Sequence, residues 1–453
     1  MESAERRIKV NLKNILIFTA VFLIIISSAS AAQENLNLDE AVKILVQENR
    51  ELENARTDIA NAEADIDLAY RSFFPSISLD NSYTKLDEGR REFNPEALFN
   101  ENIPTYTEGS DTTYSNTLRL TQPVWFGNEV LLNKDIAEFR IETARSNYES
   151  TLEDKIFSLI QAYYGVLQAE GLVEIREEAL DIANEHLRIV ENNLEAGLVI
   201  RRDLLQSKIE QRKAEEDLQA AENDLKIAKR RFNQLITSQK NYSLQKPELN
   251  LDLNLNQEEL YQTAVENSAQ LHSLEINKKI VEINKRIKEI PQRPRINING
   301  SYTWEGEEFF AEDESWSVTV TGSIPLYDGG KSKIEADKQQ REIDKLNNSI
   351  SDLLDNIDIE IEDSILSVKE LEEKIRLERL SLENAAESLE IANKSYQAGV
   401  AKNVDVINAQ STYRQAQISL LQSEYNYEIE KFRVLYKSGR ISEYFEDVIT
   451  NEK

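Results

Sequence analysis

The sequence predicts an α+β chain in which β-hairpins are joined to very long helices, with the whole arrangement present twice in tandem. Three observations predict it. Two long stretches lack proline and carry apolar residues at helical spacing, short segments of strict alternation flank two loops, and the N-terminal part overlays a later part at two constant offsets.

The helices come from the prolines. All eight lie at 75, 95, 104, 123, 247, 291, 294 and 325, so none falls between Val124 and Lys246 or after Leu326. A proline inside a helix costs about 3 kcal/mol, so these two stretches are where long helices can run. Their apolar spacing is 3-4-3-4. Leu180, Ala183, Leu187, Val190 and Leu194 form one seam, and Ala214, Leu218, Ala221, Leu225, Ala228, Phe232 and Leu235 form another after Gly197. A period of about 3.5 implies left-handed supercoiling against neighbouring helices. Taken alone, the seams describe a generic coiled coil equally well.

The repeat decides more. At an offset of 219, Leu36-Asn37 meets Leu255-Asn256, Val46 meets Val265, and Ser82-Tyr83-Thr84 meets Ser301-Tyr302-Thr303. Beyond Ser115 the offset becomes 202: Pro123-Val124-Trp125 meets Pro325-Leu326-Tyr327, and Glu195-Ala196-Gly197 meets Gln397-Ala398-Gly399. The 17-residue difference lies between Thr84 and Ser115, where insertions are tolerated at an exposed tip, so residues 85–114 read as a loop with 304–316 its shorter counterpart.

The segments flanking those loops alternate with period two. Ile77, Leu79 and Tyr83 interleave with Ser78, Asp80, Ser82 and Thr84, and Trp316, Val318 and Val320 oppose Ser317, Thr319 and Thr321. Such hairpins suit a soluble sandwich as well as a membrane barrel. Strands of about ten residues can span a tilted bilayer crossing, but four strands cannot close a ring and open edges are not tolerated in lipid. A cyclic oligomer must then complete the barrel, and strand count leaves eight strands from a dimer and twelve from a trimer both open.

Residues 1–32 read as a secretory signal, with Arg6, Arg7, Lys9 and Lys13 before a twelve-residue apolar run, Ile15 to Ile26, and small residues at 29–32. That run is too short to cross a bilayer. The chain's net charge is −29, and residues 1–32 contribute +2, leaving −31 for the rest. So acidic a chain is unsuited to nucleic acid, which is bound by neutralising phosphates. The absence of cysteine excludes disulfides, thiolate metal sites and an N-terminal lipid on cysteine.

Taken together, the hairpins introduced by Phe74-Pro75-Ser76 and Arg293-Pro294-Arg295, the strand exit Pro325-Leu326-Tyr327-Asp328-Gly329-Gly330, and the turns Ala196-Gly197-Leu198-Val199 and Ala398-Gly399-Val400 closely resemble the TolC family of outer-membrane efflux proteins. The resemblance covers essentially the whole chain after the signal. It implies a homotrimer in which four strands per protomer form a twelve-stranded barrel in outer-membrane lipid, continuous with a long helical barrel in the periplasm. It also implies docking to a periplasmic adaptor and an inner-membrane transporter. The domain reading is a signal at 1–32; a first repeat at 33–250, with strands about 76–84 and 114–123 and a tip at 197; and a second at 251–453, with strands about 295–304 and 315–325 and a tip at 399. The stretch from Asn128 to Gly197 would make roughly 100 Å of helix at about 1.5 Å per residue, enough to cross much of a periplasm.

The resemblance also assigns roles. Gly197, Leu198, Val199, Gly399 and Val400 are expected at the adaptor-docking tips. Asp405 matches an acidic residue ringing the periplasmic entrance, while Asn408 stands where the family has a second acid, so the ring is expected to carry three charges. Asp203 and Tyr396 match two members of a family link near the tips, whereas the arginine position holds Ala401. Lys402, Arg201 and Arg202 are candidate substitutes. A carboxylate at a helix start is also a favourable dipole partner in its own right.

No enzyme constellation, metal site or cofactor motif emerges. His186 and His272 are isolated in helical patterns, Gly329-Gly330-Lys331-Ser332 lacks the first glycine of a phosphate-binding loop, and Glu305, Glu307, Glu308, Glu312, Asp313 and Glu314 read as a solvated loop. The expected activity is a passive efflux conduit of a tripartite system. A protein-secretion outlet and a structural coiled-coil envelope protein are the alternatives.

Overall fold

A computed structural model describes residues 34–87, 91–100, 102, 104–108, 111–247, 251, 253–289, 293–309 and 313–450. The signal at 1–32, Pro291 and Glu312 lie outside the described residues. In chain order the first repeat holds β1 (Glu34–Leu36), α1 (Leu38–Glu48), α2 (Arg50–Arg71), β2 (Ser76–Lys85), β3 (Arg91–Phe93), β4 (Tyr106–Glu108), β5 (Thr112–Phe126), α3 (Glu129–Glu195), α4 (Arg201–Leu235) and β6 (Tyr242–Leu244). The second holds α5 (Gln257–Asn267), α6 (Ala269–Lys288), β7 (Arg295–Gly306), β8 (Asp313–Ser323), α7 (Lys331–Gln397), α8 (Asn403–Lys437), α9 (Ile441–Tyr444) and α10 (Glu446–Thr450).

The two offsets reappear in the helices. Adding 202 to the bounds of α3 and α4 gives those of α7 and α8, and adding 219 to those of α1 gives α5. α3 and α7 are each 67 residues long, and α4 and α8 are each 35. Among the described residues no helix is long and apolar enough to cross a membrane.

The chain forms two compact units that cut across the repeats, each drawing on both. One comprises residues 55–148 and 269–353 and contains a four-stranded antiparallel sheet in the order β2-β5-β7-β8. Its register pairs Leu79 with Leu118, Leu118 with Tyr302, and Tyr302 with Trp316. Since side chains alternate along a strand, these residues share one face with Ile77, Leu120, Ile298, Val318 and Val320. The opposite face carries hydroxyls: Thr117 Oγ1 lies 2.9 Å from Thr303 Oγ1, Ser301 Oγ lies 2.9 Å from Ser317 Oγ, and Arg119 pairs with Asp80 at 3.5 Å. Pro123 lacks an N–H for the ladder, and the β5–β7 register shifts between Pro123 and Trp125. Below the sheet, Leu132, Ile136 and Ile283 form the unit's helical core.

The segment expected to be a loop at 85–114 is more structured. β5 extends back to Thr112, and β3 and β4 form a small hairpin closed by the Phe93–Tyr106 ring contact at 6.0 Å.

The other unit comprises residues up to Asn54, 149–268 and 354 onward. Its core is aromatic: Tyr163 meets Phe232 at 5.9 Å, Tyr164 meets Phe432 at 6.2 Å, and Phe432 meets Phe445 at 6.3 Å. β1 pairs with β6 in parallel, and the buried Tyr163 hydroxyl lies 2.9 Å from the Leu36 carbonyl and 2.7 Å from that of Gln245. Buried Asn49 separates α1 from α2. Its Oδ1 accepts from the N–H groups of Glu51 and Leu52, and its Nδ2 donates to the Leu235 carbonyl.

Candidate functional site: the helix turns

Both helix-to-helix turns lie in the second unit and have the same chemistry. Gly197 (φ 77°) and Gly399 (φ 73°) occupy the left-handed region that an L side chain resists. At the first, Leu198 N–H donates to the Asn193 carbonyl at 2.8 Å and Gly197 N–H to that of Leu194 at 3.0 Å; at the second, Val400 and Gly399 donate likewise to Ser395 and Tyr396. This is the paired bond pattern of a Schellman termination. The apolar residue after such a glycine usually packs back on its own helix. Here Leu198 is 74% exposed and Val400 83% exposed. Val199 and Ala401 turn inward instead, against a buried cluster of Val190, Tyr396 and Val406.

Beneath the turns lies a buried polar network that the sequence pattern did not reveal. His186 on α3, Ser207 on α4 and Asn403 on α8 are all buried. Asn403 Nδ2 donates to the Asp203 carbonyl at 3.3 Å, which fixes its Oδ1 as an acceptor. That oxygen accepts from Ser207 Oγ at 3.2 Å and lies 2.7 Å from His186 Nε2, so the imidazole carries its proton on Nε2. Burial depresses the His186 pKa, against the opposing effect of the Asn403 bond. The His186 ring meets that of Tyr396 at 5.3 Å, bringing α7 into the same contact. Further along, Arg414 on α8 pairs with Glu210 on α4 at 3.4 Å. A signal did exist in the sequence: 202 residues apart, His186 corresponds to Ser388, Ser207 to Ala409 and Asn403 to Arg201. The two repeats therefore differ at all three members of the network.

The expected entrance residues divide between surface and interior. Asp405 is exposed at the start of α8, where one carboxylate oxygen accepts the Lys402 backbone N–H at 2.9 Å. Asn408, also exposed, lies one turn further along. Asp203 is mostly buried, with Arg202 Nε 3.9 Å away. The Tyr396 hydroxyl is buried with no hydrogen-bond partner among the described residues, although the Asn193 side chain approaches it. Burial first, and the Asp203 charge as well, raise its pKa. Asp203 and Tyr396 thus share a neighbourhood without bonding directly, and Asn403 bridges the helices in their place.

A sheet with one apolar and one hydroxyl-lined face, joined to 67-residue helices that end in paired glycine turns, is the arrangement expected of a channel that crosses a membrane on strands. The chain belongs to the outer membrane efflux protein family, whose model matches residues 41–238 and 260–435. It is similar to the outer membrane efflux protein BepC of Brucella suis biovar 1 (strain 1330), 22% identical over 342 residues that cover 73% of each chain. Its fold is similar to that of a membrane protein from Pseudomonas aeruginosa (TM-score 0.74, 17% identity, 90% of this chain and 91% of that one). It is also similar to the outer membrane protein VceC of Vibrio cholerae (TM-score 0.70, 16% identity, 89% and 96%). The protein is an efflux duct of the outer membrane.

Proposed function

We propose that three copies close a twelve-stranded barrel in the outer membrane, and that the helices form a passive conduit for small molecules driven by an inner-membrane transporter through a periplasmic adaptor. The observation that carries this reading is the sheet itself. β2 and β8 are its two edges, and both are exposed along their whole length. Unpaired edge groups are not tolerated in lipid, so β2 of one copy pairs with β8 of the next until the ring closes. The exposed Leu198 and Val400 supply apolar contacts for the adaptor, and Asp405 stands at the periplasmic entrance.

Single cysteines placed along β2 and β8 test the ring, because the chain has none of its own. Oxidation is expected to give a disulfide-linked trimer, and a ladder ending at dimer would defeat the proposed stoichiometry. Conductance in planar bilayers tests the conduit; a folded oligomer that never conducts would defeat that part.

A further inference from the structure

The unit that holds the helix turns also contains a cavity of about 450 Å³, which shares no residue with the turns or with the polar network beneath them. Its walls come from α3, α7, α8 and the segment after β6. That volume lies in the range of small-molecule pockets, roughly 300–1,000 Å³, and far exceeds the roughly 30 Å³ of a single water.

Two groups on these walls lack partners. The first is Tyr164 on α3, which is 2% exposed and whose hydroxyl makes no hydrogen bond among the described residues. Glu428 and Tyr425, which also line the cavity, are among the charges that act on that hydroxyl, so it lies on the cavity side. Burial, ahead of those charges, raises its pKa, so the hydroxyl keeps its proton and can donate it. A phenylalanine would fill the same space without burying an unpaired hydroxyl. The duplicated fold does not demand these aromatics either. At 202 residues' distance, Leu366 corresponds to Tyr164 and Asn223 to Tyr425.

The second is Lys246. The carboxylates of the cavity are already matched: Glu424 pairs with Arg379 at 2.9 Å, Glu372 with Arg376 at 3.6 Å, and Glu428 with Lys431 at 2.8 Å. Lys246 is exposed and has no ion pair among the described residues. Its Nζ lies 5.8 Å from the centre of the Tyr425 ring, and that ring lies 6.2 Å from the ring of Tyr164. A buried donor, an aromatic ring and an unmatched cation thus follow one another from the closed end of the cavity to its opening.

We propose that this cavity binds a small hydroxylated aromatic carboxylate. The ligand's ring lies against Tyr425, its carboxylate meets Lys246, and its hydroxyl oxygen accepts from Tyr164. An aromatic face accommodates both a ring and a cation, and an ammonium without a counter-charge selects an anion over a neutral ligand. The site stands apart from the proposed duct and does not rest on it.

The test is fluorescence titration of the full chain in detergent with a hydroxynaphthoate whose hydroxyl and carboxylate lie at opposite ends. Plain naphthoate and the corresponding hydroxynaphthamide are the comparison probes. Wild type is expected to bind the hydroxynaphthoate about fivefold more tightly than naphthoate and about tenfold more tightly than the amide. Y164F is expected to abolish the first preference and keep the second, and K246Q to do the reverse. A preference that survives its matching variant overturns the proposal. So does the absence of saturable binding, or equal affinity of wild type for all three probes, and neither of these needs a variant to fold. Binding is read in detergent and conductance in bilayers, so failure of either reading leaves the other standing.

Discussion

His186 and Asn403, 217 residues apart in sequence, are joined by a buried hydrogen bond of 2.7 Å that ties the end of α3 to the start of α8. The bond sits directly beneath the two exposed turns. Removing it removes the only polar group that accepts from both His186 and Ser207 among the described residues.

Asn403→Ala is therefore expected to destabilise the turn region by about 1–3 kcal/mol, because two buried donors lose their acceptor. Hydrogen exchange across residues 186–208 and 396–406 checks this. Protection unchanged from wild type would show that the network contributes nothing there.

The same network makes stability depend on pH. Burial holds the folded His186 pKa below its ordinary 6.5, so its contribution is present above that value and is lost as pH falls below it. Glu153 behaves oppositely. Burial, with Asp154 and Glu149 nearby, raises it from 4.5 to about 7 against the opposing Ser442 bond. Its contribution is full below 4.5 and is lost as pH rises through about 7. Glu153→Gln is expected to stabilise the protein by about 1–3 kcal/mol at pH 8, and His186→Gln to flatten the acid limb. Denaturation midpoints between pH 5 and 8 check both signs.

Leu198→Ser and Val400→Ser should leave folding within about 0.5 kcal/mol of wild type, since both side chains are exposed. Efflux and crosslinking to the adaptor should fall sharply. A double variant that exports normally would remove these residues from the docking surface.

With Asp405 at the periplasmic entrance as proposed, Asp405→Ala is expected to weaken the block of conductance by divalent cations, because carboxylates ringing an opening would concentrate them. Its bond to Lys402 N–H is only a helix-start contact, so thermal stability should change by about 1 kcal/mol or less. A block of unchanged strength would place Asp405 away from the entrance.

Gly127→Ala combines a positive φ with a Cβ 2.5 Å from Arg293 Cβ. A loss of about 1–3 kcal/mol is expected from the strained backbone, and more if Arg293 cannot move aside. Thermal unfolding measures it against Gly165→Ala, where a Cβ would meet nothing within 4 Å.

The long helices were legible because proline absence and seam spacing act over dozens of residues. The hairpins were legible because alternation spans about ten residues in each strand. β1 and β6 were not, since three-residue strands give no pattern and their parallel pairing joins Leu36 to Leu244. The β3–β4 hairpin escaped for the same reason. The compact units also could not be read from the repeats, because α3 and α7 each run through both. At the turns, Gly197 and Gly399 announce themselves by residue type. The role of Asn403 depends on which distant helices surround it, and heptad periodicity carries no information about such partners.

The uncovered edges of β2 and β8 bear finally on biogenesis. A lone copy carries two unsatisfied rows of backbone groups beside an apolar face, which is the combination that seeds aggregation. In the proposed ring, strand pairing between copies and entry into lipid would be coupled. If that ring forms, the protein's measured stability will depend on protomer concentration.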